Sequence, residues 1–263
     1  MTAPTPDSGR PVALITGAGS GIGAATARHL AGLGCDVALA WRSSGDGAKR
    51  VGEACRELGA RVMEVQADVA CDAQCRAAVA AVLDRWGRLD HLVNNAGTTR
   101  FAPARDLDAL GDEDFATLFS VNVTGAYRMV RAAAPALARV QGSVVNLSSH
   151  AGFSGLGSST AYAATKGALN TLTLSLARAL APEVRVNAVC PGFVDTAWMA
   201  PALDPRALAE FKARSAATAP LRRIVTPEDV AEAVGWLALG GRSITGQLLV
   251  VDAGTHLAVA TPL

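Results

Sequence analysis

The sequence predicts an α/β fold: a doubly wound parallel sheet of about seven strands with helices on both faces. Three observations predict it. Seven short apolar runs, Val12–Thr16, Val37–Trp41, Val62–Gln66, His91–Asn94, Val144–Leu147, Val184–Val189 and Leu248–Val251, lack the polar alternation of a strand with one wet face. Both faces of each are therefore expected to be covered. Ala-rich segments of helical length separate them, the clearest being Ile22–Leu33, Ala48–Leu58, Ala73–Trp86, Phe115–Val140, Ala161–Leu180 and Pro227–Leu239. Such alternation gives right-handed crossovers between parallel strands. Finally, the first run passes through a glycine-rich turn straight into a helix.

The chain has 263 residues, half of them hydrophobic, and a formal net charge of +1. That length suits a single domain, expected over residues 11–263. Met1–Arg10, rich in Pro, Ser and Thr and without an apolar stretch, is expected to be a disordered tail rather than a secretory signal. No basic stripe points to nucleic acid. The longest apolar helical stretches are interrupted by Pro135 or Arg178, so no membrane partner is expected. Five scattered cysteines do not form a disulfide framework, and a reducing cytoplasm suits them. Cys71 and Cys75 lie one helical turn apart, but no His or further Cys is near, so no metal is expected. Thr226-Pro227-Glu228-Asp229 starts a helix with a cap, a first-turn proline and acidic residues. From about 195 to 221 a Pro-rich, partly helical insertion breaks the rhythm. It reads either as a lid over a substrate or as a structural excursion.

The first strand ends in Thr16-Gly17-Ala18-Gly19-Ser20-Gly21-Ile22-Gly23. A strand, a glycine turn and a helix N-terminus make an anion site, because backbone N–H groups and the positive helix end face the same point. Gly17, Ser20, Gly21, Ile22 and Gly23 are thus expected to hold the pyrophosphate of a dinucleotide in a Rossmann-like fold. Glycines serve turns as well, and the spacing is not GxGxxG, so the loop alone does not decide. NAD sites usually carry an acid near the end of the second strand, for the ribose 2′-hydroxyl. Here that end reads Ala40-Trp41-Arg42-Ser43-Ser44, with no carboxylate. Arg42 and Ser43 suit a 2′-phosphate, so NADP(H) is expected over NAD(H), which stays possible. The plainer reading of Arg42 is a solvated strand end.

Tyr162 and Lys166 stand four residues apart in a helical segment, hence on one face. A free tyrosine has a pKa near ~10, so acid–base work near neutrality requires a shift of about three units, roughly 4 kcal/mol. A cation about 4 Å away at an effective dielectric of 20 supplies about 4 kcal/mol. Alone, the pair reads more readily as a partly buried Tyr beside a surface Lys.

As a set, the Thr16–Gly23 loop, Asn94-Asn95-Ala96-Gly97, Tyr162-Ala-Ala-Thr-Lys166 and Pro191-Gly192 resemble the short-chain dehydrogenase/reductase family. The resemblance runs from about Val12 to Gly254. Val186-Asn-Ala-Val-Cys-Pro-Gly-Phe-Val-Asp-Thr196 is most similar to the subgroup of 3-oxoacyl-carrier-protein reductases and polyketide ketoreductases. The resemblance implies a general acid at Tyr162, with Lys166 lowering its pKa and holding the nicotinamide ribose. It implies that Ser149 hydrogen-bonds the substrate oxygen, with Ser148 as the alternative. Asn122 would support a water chain near Lys166. It further implies cofactor contacts at Asp68 and Val69 with the adenine, along Asn95, Ala96 and Gly97, and at Pro191, Gly192, Val194 and Thr196 near the nicotinamide amide. Turn and strand-end chemistry explains several of these positions equally well.

Thr98-Thr99-Arg100-Phe101, His150–Leu156, Phe193 and Trp198-Met199 offer apolar and aromatic surface for a largely apolar carbonyl or alcohol, unless they merely pack the insertion. The family resemblance implies a homotetramer through Phe115–Val140 and Ala161–Leu180. Two other functions stand beside this one: an NAD-dependent alcohol dehydrogenase and a non-catalytic dinucleotide-binding regulator.

Overall fold

The computed structural model describes residues 9–200 and 202–257; residues 1–8 of the expected tail lie outside them. Arg10, counted with that tail, donates to Gly34 O at 2.8 Å and Gly59 O at 2.6 Å.

The described residues form a seven-stranded parallel sheet: β1 (Val12–Thr16), β2 (Asp36–Trp41), β3 (Val62–Gln66), β4 (His91–Asn94), β5 (Ser143–Leu147), β6 (Arg185–Pro191) and β7 (Leu248–Val251). Their order is β3-β2-β1-β4-β5-β6-β7. Side chains alternate across a strand, and here both faces are covered. In β1, Ala13 and Ile15 enter one core with Leu30, Val234 and Leu237, while Val12 and Leu14 enter the other with Val79, Val82, Met129 and Leu137. This double burial is why the strands read as unbroken apolar runs. Truncating a fully buried leucine such as Leu14 to alanine costs about 2–5 kcal/mol in a core of this kind.

The helices are α1 (Gly21–Gly32), α2 (Gly45–Glu57), α3 (Asp72–Trp86), α4 (Asp112–Phe119), α5 (Ala126–Ala138), α6 (Ala151–Ser154), α7 (Thr160–Leu180), α8 (Pro205–Thr218) and α9 (Pro227–Leu239). Against sequence expectation, 115–140 is not one regular helix. It begins at Asp112, where Asp114 accepts from Gly111 N, and α4 joins α5 through a π-helical turn, Ser120–Gly125. Such a turn inserts an extra residue into the ladder and re-aims its side chains, often at a functional site. α8 lies in the insertion, capped by Asp204, which accepts from Ala207 N at 2.8 Å, with Pro205 in the first turn.

Because β1 lies between β2 and β4, the chain winds outward in both directions from that point. In sheets of this kind a crevice opens there, at the carboxyl ends of the strands.

Candidate active site

The glycine loop leaves β1 at this crevice. Gly17 and Gly21 take φ of +65° and +53°, the left-handed region that glycine occupies without strain. A side chain at Gly23 would strike Gly17 O and Asn95 Nδ2, and one at Gly19 would strike Ser44. α1 begins at Ser20 without a side-chain cap and has no acidic residue in its first turn. Its positive end is left uncompensated, which suits a phosphate. Ile22 packs on the core beneath the loop.

Thr16 ties the loop to the end of β4. Its hydroxyl accepts from Asn95 N (3.0 Å) and Ala96 N (2.9 Å), while Asn95 Nδ2 donates to Thr16 O (2.9 Å) and Gly17 O (3.1 Å). Gly97 then passes Asn122 and Lys166: a Cβ there would stand 3.4 Å from Asn122 Oδ1 and 4.0 Å from Lys166 Nζ. The π-helical turn buries Asn122, which accepts from Thr98 N at 2.8 Å and donates to Thr98 O at 2.9 Å and Thr165 Oγ1 at 3.1 Å. The sequence names Thr16 and Thr98 only within the glycine loop and the pocket segment and gives no sign of Thr165, since a threonine hydroxyl carries no motif.

At the far edge of the loop, Arg42 and Ser43 are exposed at the end of β2. Among the described residues the Arg42 guanidinium has no hydrogen bond or ion pair. Asp68 accepts from Ala70 N at 2.9 Å, and buried Val69 packs against Gly125 of the π-helical turn.

The end of β5 and the start of α7 bring the remaining residues together. Ser159 caps α7 by accepting from Tyr162 N at 3.2 Å. Ser149 stands beside the Tyr162 phenol and acts to lower its pKa, while its Oγ accepts from Ala151 N at 3.1 Å. Ser148 points the other way: buried, it donates to Asn170 Oδ1 at 2.6 Å. Lys166, also buried, donates from Nζ to Leu147 O at 2.8 Å, 5.5 Å from the Tyr162 ring centroid. Burial pushes the Tyr162 phenol up to about 12 against the lowering effect of Ser149, and pushes Lys166 down to about 8. Loss of water around each group is the largest cause of both shifts.

The loop after β6 closes the arrangement. Pro191 O accepts from His150 N at 2.8 Å, Gly192 N donates to Val251 O at 3.0 Å, and Val194 bridges to Val225. Thr196 reaches the glycine loop, its Cγ2 lying 3.6 Å from where a Cβ on Gly21 would stand. Trp198 follows, its ring centroid 6.1 Å from that of Tyr162. The insertion is anchored by an edge-on Phe193–Phe211 contact, centroids 4.9 Å apart, and by a Lys212–Asp195 ion pair at 2.5 Å. His150 is half-buried. Cys71 and Cys75 gather no third ligand: no group of three or more His, Cys, Asp or Glu among the described residues could hold a metal. No helix among them is long and apolar enough to cross a membrane.

A glycine loop at the switch point, with a Ser, Tyr and Lys converging beside it, defines a dinucleotide-binding α/β domain of the oxidoreductase type. Comparison with known proteins agrees. Residues 17–256 match the family described as enoyl-(acyl carrier protein) reductase. A ketoacyl reductase assigned to the granaticin polyketide synthase of Streptomyces violaceoruber is 43% identical over 249 residues, 94% of this chain and 96% of that one. The 3-oxoacyl-[acyl-carrier-protein] reductase of Staphylococcus aureus is 35% identical over 248 residues, 93% and 98% of the two chains. A crystal structure assigned to a short-chain dehydrogenase/reductase of Burkholderia xenovorans superposes with a TM-score of 0.89 at 44% identity, covering 95% of this chain and all of that one. The chain belongs to the short-chain dehydrogenase/reductase family.

Proposed function

We propose that the protein is an NADP(H)-dependent carbonyl reductase that interconverts a largely apolar carbonyl compound and its secondary alcohol. The observation that carries this reading is the gathering of Ser149 and Lys166 around Tyr162, with Lys166 Nζ 5.5 Å from its ring centroid and Asn122 beside Gly97 at the edge of the glycine loop. A nicotinamide dinucleotide bound along this edge supplies or accepts the hydride. Gly17, Ser20, Gly21, Ile22 and Gly23 would hold its pyrophosphate. Arg42 and Ser43 would hold the 2′-phosphate, where an unpartnered guanidinium meets no competing carboxylate. Asp68 and Val69 would flank the adenine. Asn95, Ala96 and Gly97, with Pro191, Gly192, Val194 and Thr196, would line its course to the nicotinamide.

Ser149 and Tyr162 hold the substrate oxygen from two donors, and Tyr162 gives it a proton during reduction. A phenol pushed up to about 12 is protonated at neutral pH, the form a general acid needs. Lys166 holds the ribose and biases Tyr162, and Asn122 fixes the Thr98 loop and supports the proton path behind Lys166. Ser148 is committed to Asn170, which leaves Ser149 for the substrate. The granaticin and Staphylococcus aureus relatives act, by name, on ketoacyl groups, and a 38%-identical protein of Sinomonas cyclohexanicum is named a cis-4-hydroxycyclohexanecarboxylate dehydrogenase, which suits a ketone or an alicyclic alcohol here. A homotetramer is proposed through α4, α5 and α7, where Phe115, Tyr127 and Leu174 stand exposed, and the cytoplasm is the proposed setting.

The test is a fluorescence titration with NADPH and NADH, followed by turnover on a panel of apolar ketones. Tighter NADPH binding with ketone reduction is expected. Preference for NADH would turn the reading to an NAD-dependent alcohol dehydrogenase, and dinucleotide binding with no turnover to a regulator.

A further inference from the structure

The turn after β7 touches two parts of the site that lie far apart in the sequence. Asp252 is buried, yet every oxygen of its carboxylate is engaged. Oδ1 accepts from Gly254 N at 2.9 Å, Oδ2 accepts from His256 N at 2.8 Å, and His256 Nδ1 lies 3.0 and 2.9 Å from the two. Its main-chain oxygen accepts from Thr255 Oγ1 at 2.6 Å. The His256 side chain is 42% exposed and that of Asp252 only 2%. The imidazole thus covers a carboxylate that would otherwise be buried without a side-chain partner.

One side of this turn carries the loop after β6. A Cβ at Gly192 would stand 2.6 Å from Asp252 Cβ, so Gly192 rests directly on the aspartate. The other side carries the base of the 195–221 insertion. Ala253 is held at φ +55°, which aims its carbonyl at Leu221 N, 3.1 Å away. A Cβ at Gly254 would stand 3.0 Å from the Pro220 ring. An unconstrained alanine rarely adopts that φ; the hydrogen bonds to Asp252 on its far side keep it there.

We infer that the Asp252–His256 pair is a positioning element that sets the Pro191-Gly192 segment and the base of the insertion together, coupling dinucleotide binding to the placement of Trp198 over Tyr162. The inference rests on the dinucleotide reading above. Asp252 and His256 touch no reacting atom in that reading; they act through Gly192, Pro220 and Leu221.

The test compares wild type, Asp252→Asn and His256→Ala by NADPH titration and by timed limited proteolysis within the insertion, at a temperature where circular dichroism shows each to be folded. His256 is partly exposed, so its variant reports even if Asp252→Asn does not fold. Both variants are expected to raise the NADPH Kd by about tenfold and to speed cleavage of the insertion by a similar factor, as loss of a charge-assisted hydrogen bond allows. A lower Tm in His256→Ala with unchanged Kd and unchanged cleavage would show a merely structural turn and overturn the inference. Failure of wild type to bind either dinucleotide would instead overturn the functional reading, and the proteolysis comparison would still decide whether the pair holds the insertion.

Discussion

Lys166 Nζ lies 5.5 Å from the centroid of the Tyr162 ring and spends a hydrogen bond on Leu147 O, 2.8 Å away. The ammonium is therefore buried over the ring, and burial holds it down to about 8 while the phenol rises to about 12. This has consequences for stability as well as for chemistry.

An unfolded lysine titrates near 10.5 and the folded one near 8, so the unfolded chain binds more protons between those values. Stability is expected to rise with pH across that window, and the full cost, about 3 kcal/mol, is present below it. Lys166→Met is expected to raise the Tm at pH 7 and to lose most of that advantage by pH 10. Thermal melts of the two proteins across this range check it; an equal difference at both pH values would contradict the burial argument.

The two adjacent serines separate cleanly. Ser149→Ala and Tyr162→Phe are expected to lower kcat by roughly 10²–10⁴ with Tm nearly unchanged and NADPH still bound. Ser148→Ala leaves buried Asn170 Oδ1 with only the long Cys190 Sγ contact at 3.8 Å, and Asn170 Nδ2 already lacks a partner among the described residues. It is expected to cost about 1–3 kcal/mol of stability and to affect kcat less. Steady-state kinetics beside denaturant melts distinguish the pair.

Arg42→Asp is expected to weaken NADPH binding by about 10–100-fold, since a charge-assisted pair becomes a repulsion, and to leave NADH binding equal or better. Parallel titrations measure the ratio. If NADPH affinity holds, Arg42 is only a solvated strand end.

His91 is buried in β4, its Nδ1 2.9 Å from Ser143 Oγ, which itself donates to Ala238 O at 3.1 Å. Since that hydroxyl proton is taken, Nδ1 is inferred to donate. Burial pushes the imidazole down to about 4. The unfolded state therefore binds more protons between about 6.5 and 4, and stability is expected to fall by about 3 kcal/mol as the pH drops through that window. His91→Gln should flatten the acid limb of a Tm–pH curve. An unchanged limb would place the acid sensitivity elsewhere.

Much of this site was legible in the chain. Gly17 and Gly23 could be read because no other residue tolerates their backbone or their crowding. Helical spacing put Tyr162 and Lys166 on one face, and only the resemblance of the whole set of motifs gave them a role. Asn122 was placed only by resemblance, since a π-helical turn breaks the periodicity from which a helix face is read. Asp252 and His256 offered no signal: the segments their turn touches, Gly192 against Asp252 and Leu221 on Ala253 O, lie tens of residues away.

The sequence by itself determined the strand–helix alternation, the doubly buried sheet and the glycine loop, because each follows from local chemistry: apolar period, helix capping and the conformational freedom of glycine. Only the tertiary structure decided that Ser148 turns to Asn170 while Ser149 faces Tyr162, that Tyr162 and Lys166 are buried together, and that Asp252 packs behind Gly192. Those depend on burial and on contacts between distant segments, and neither exists until the sheet has closed around them.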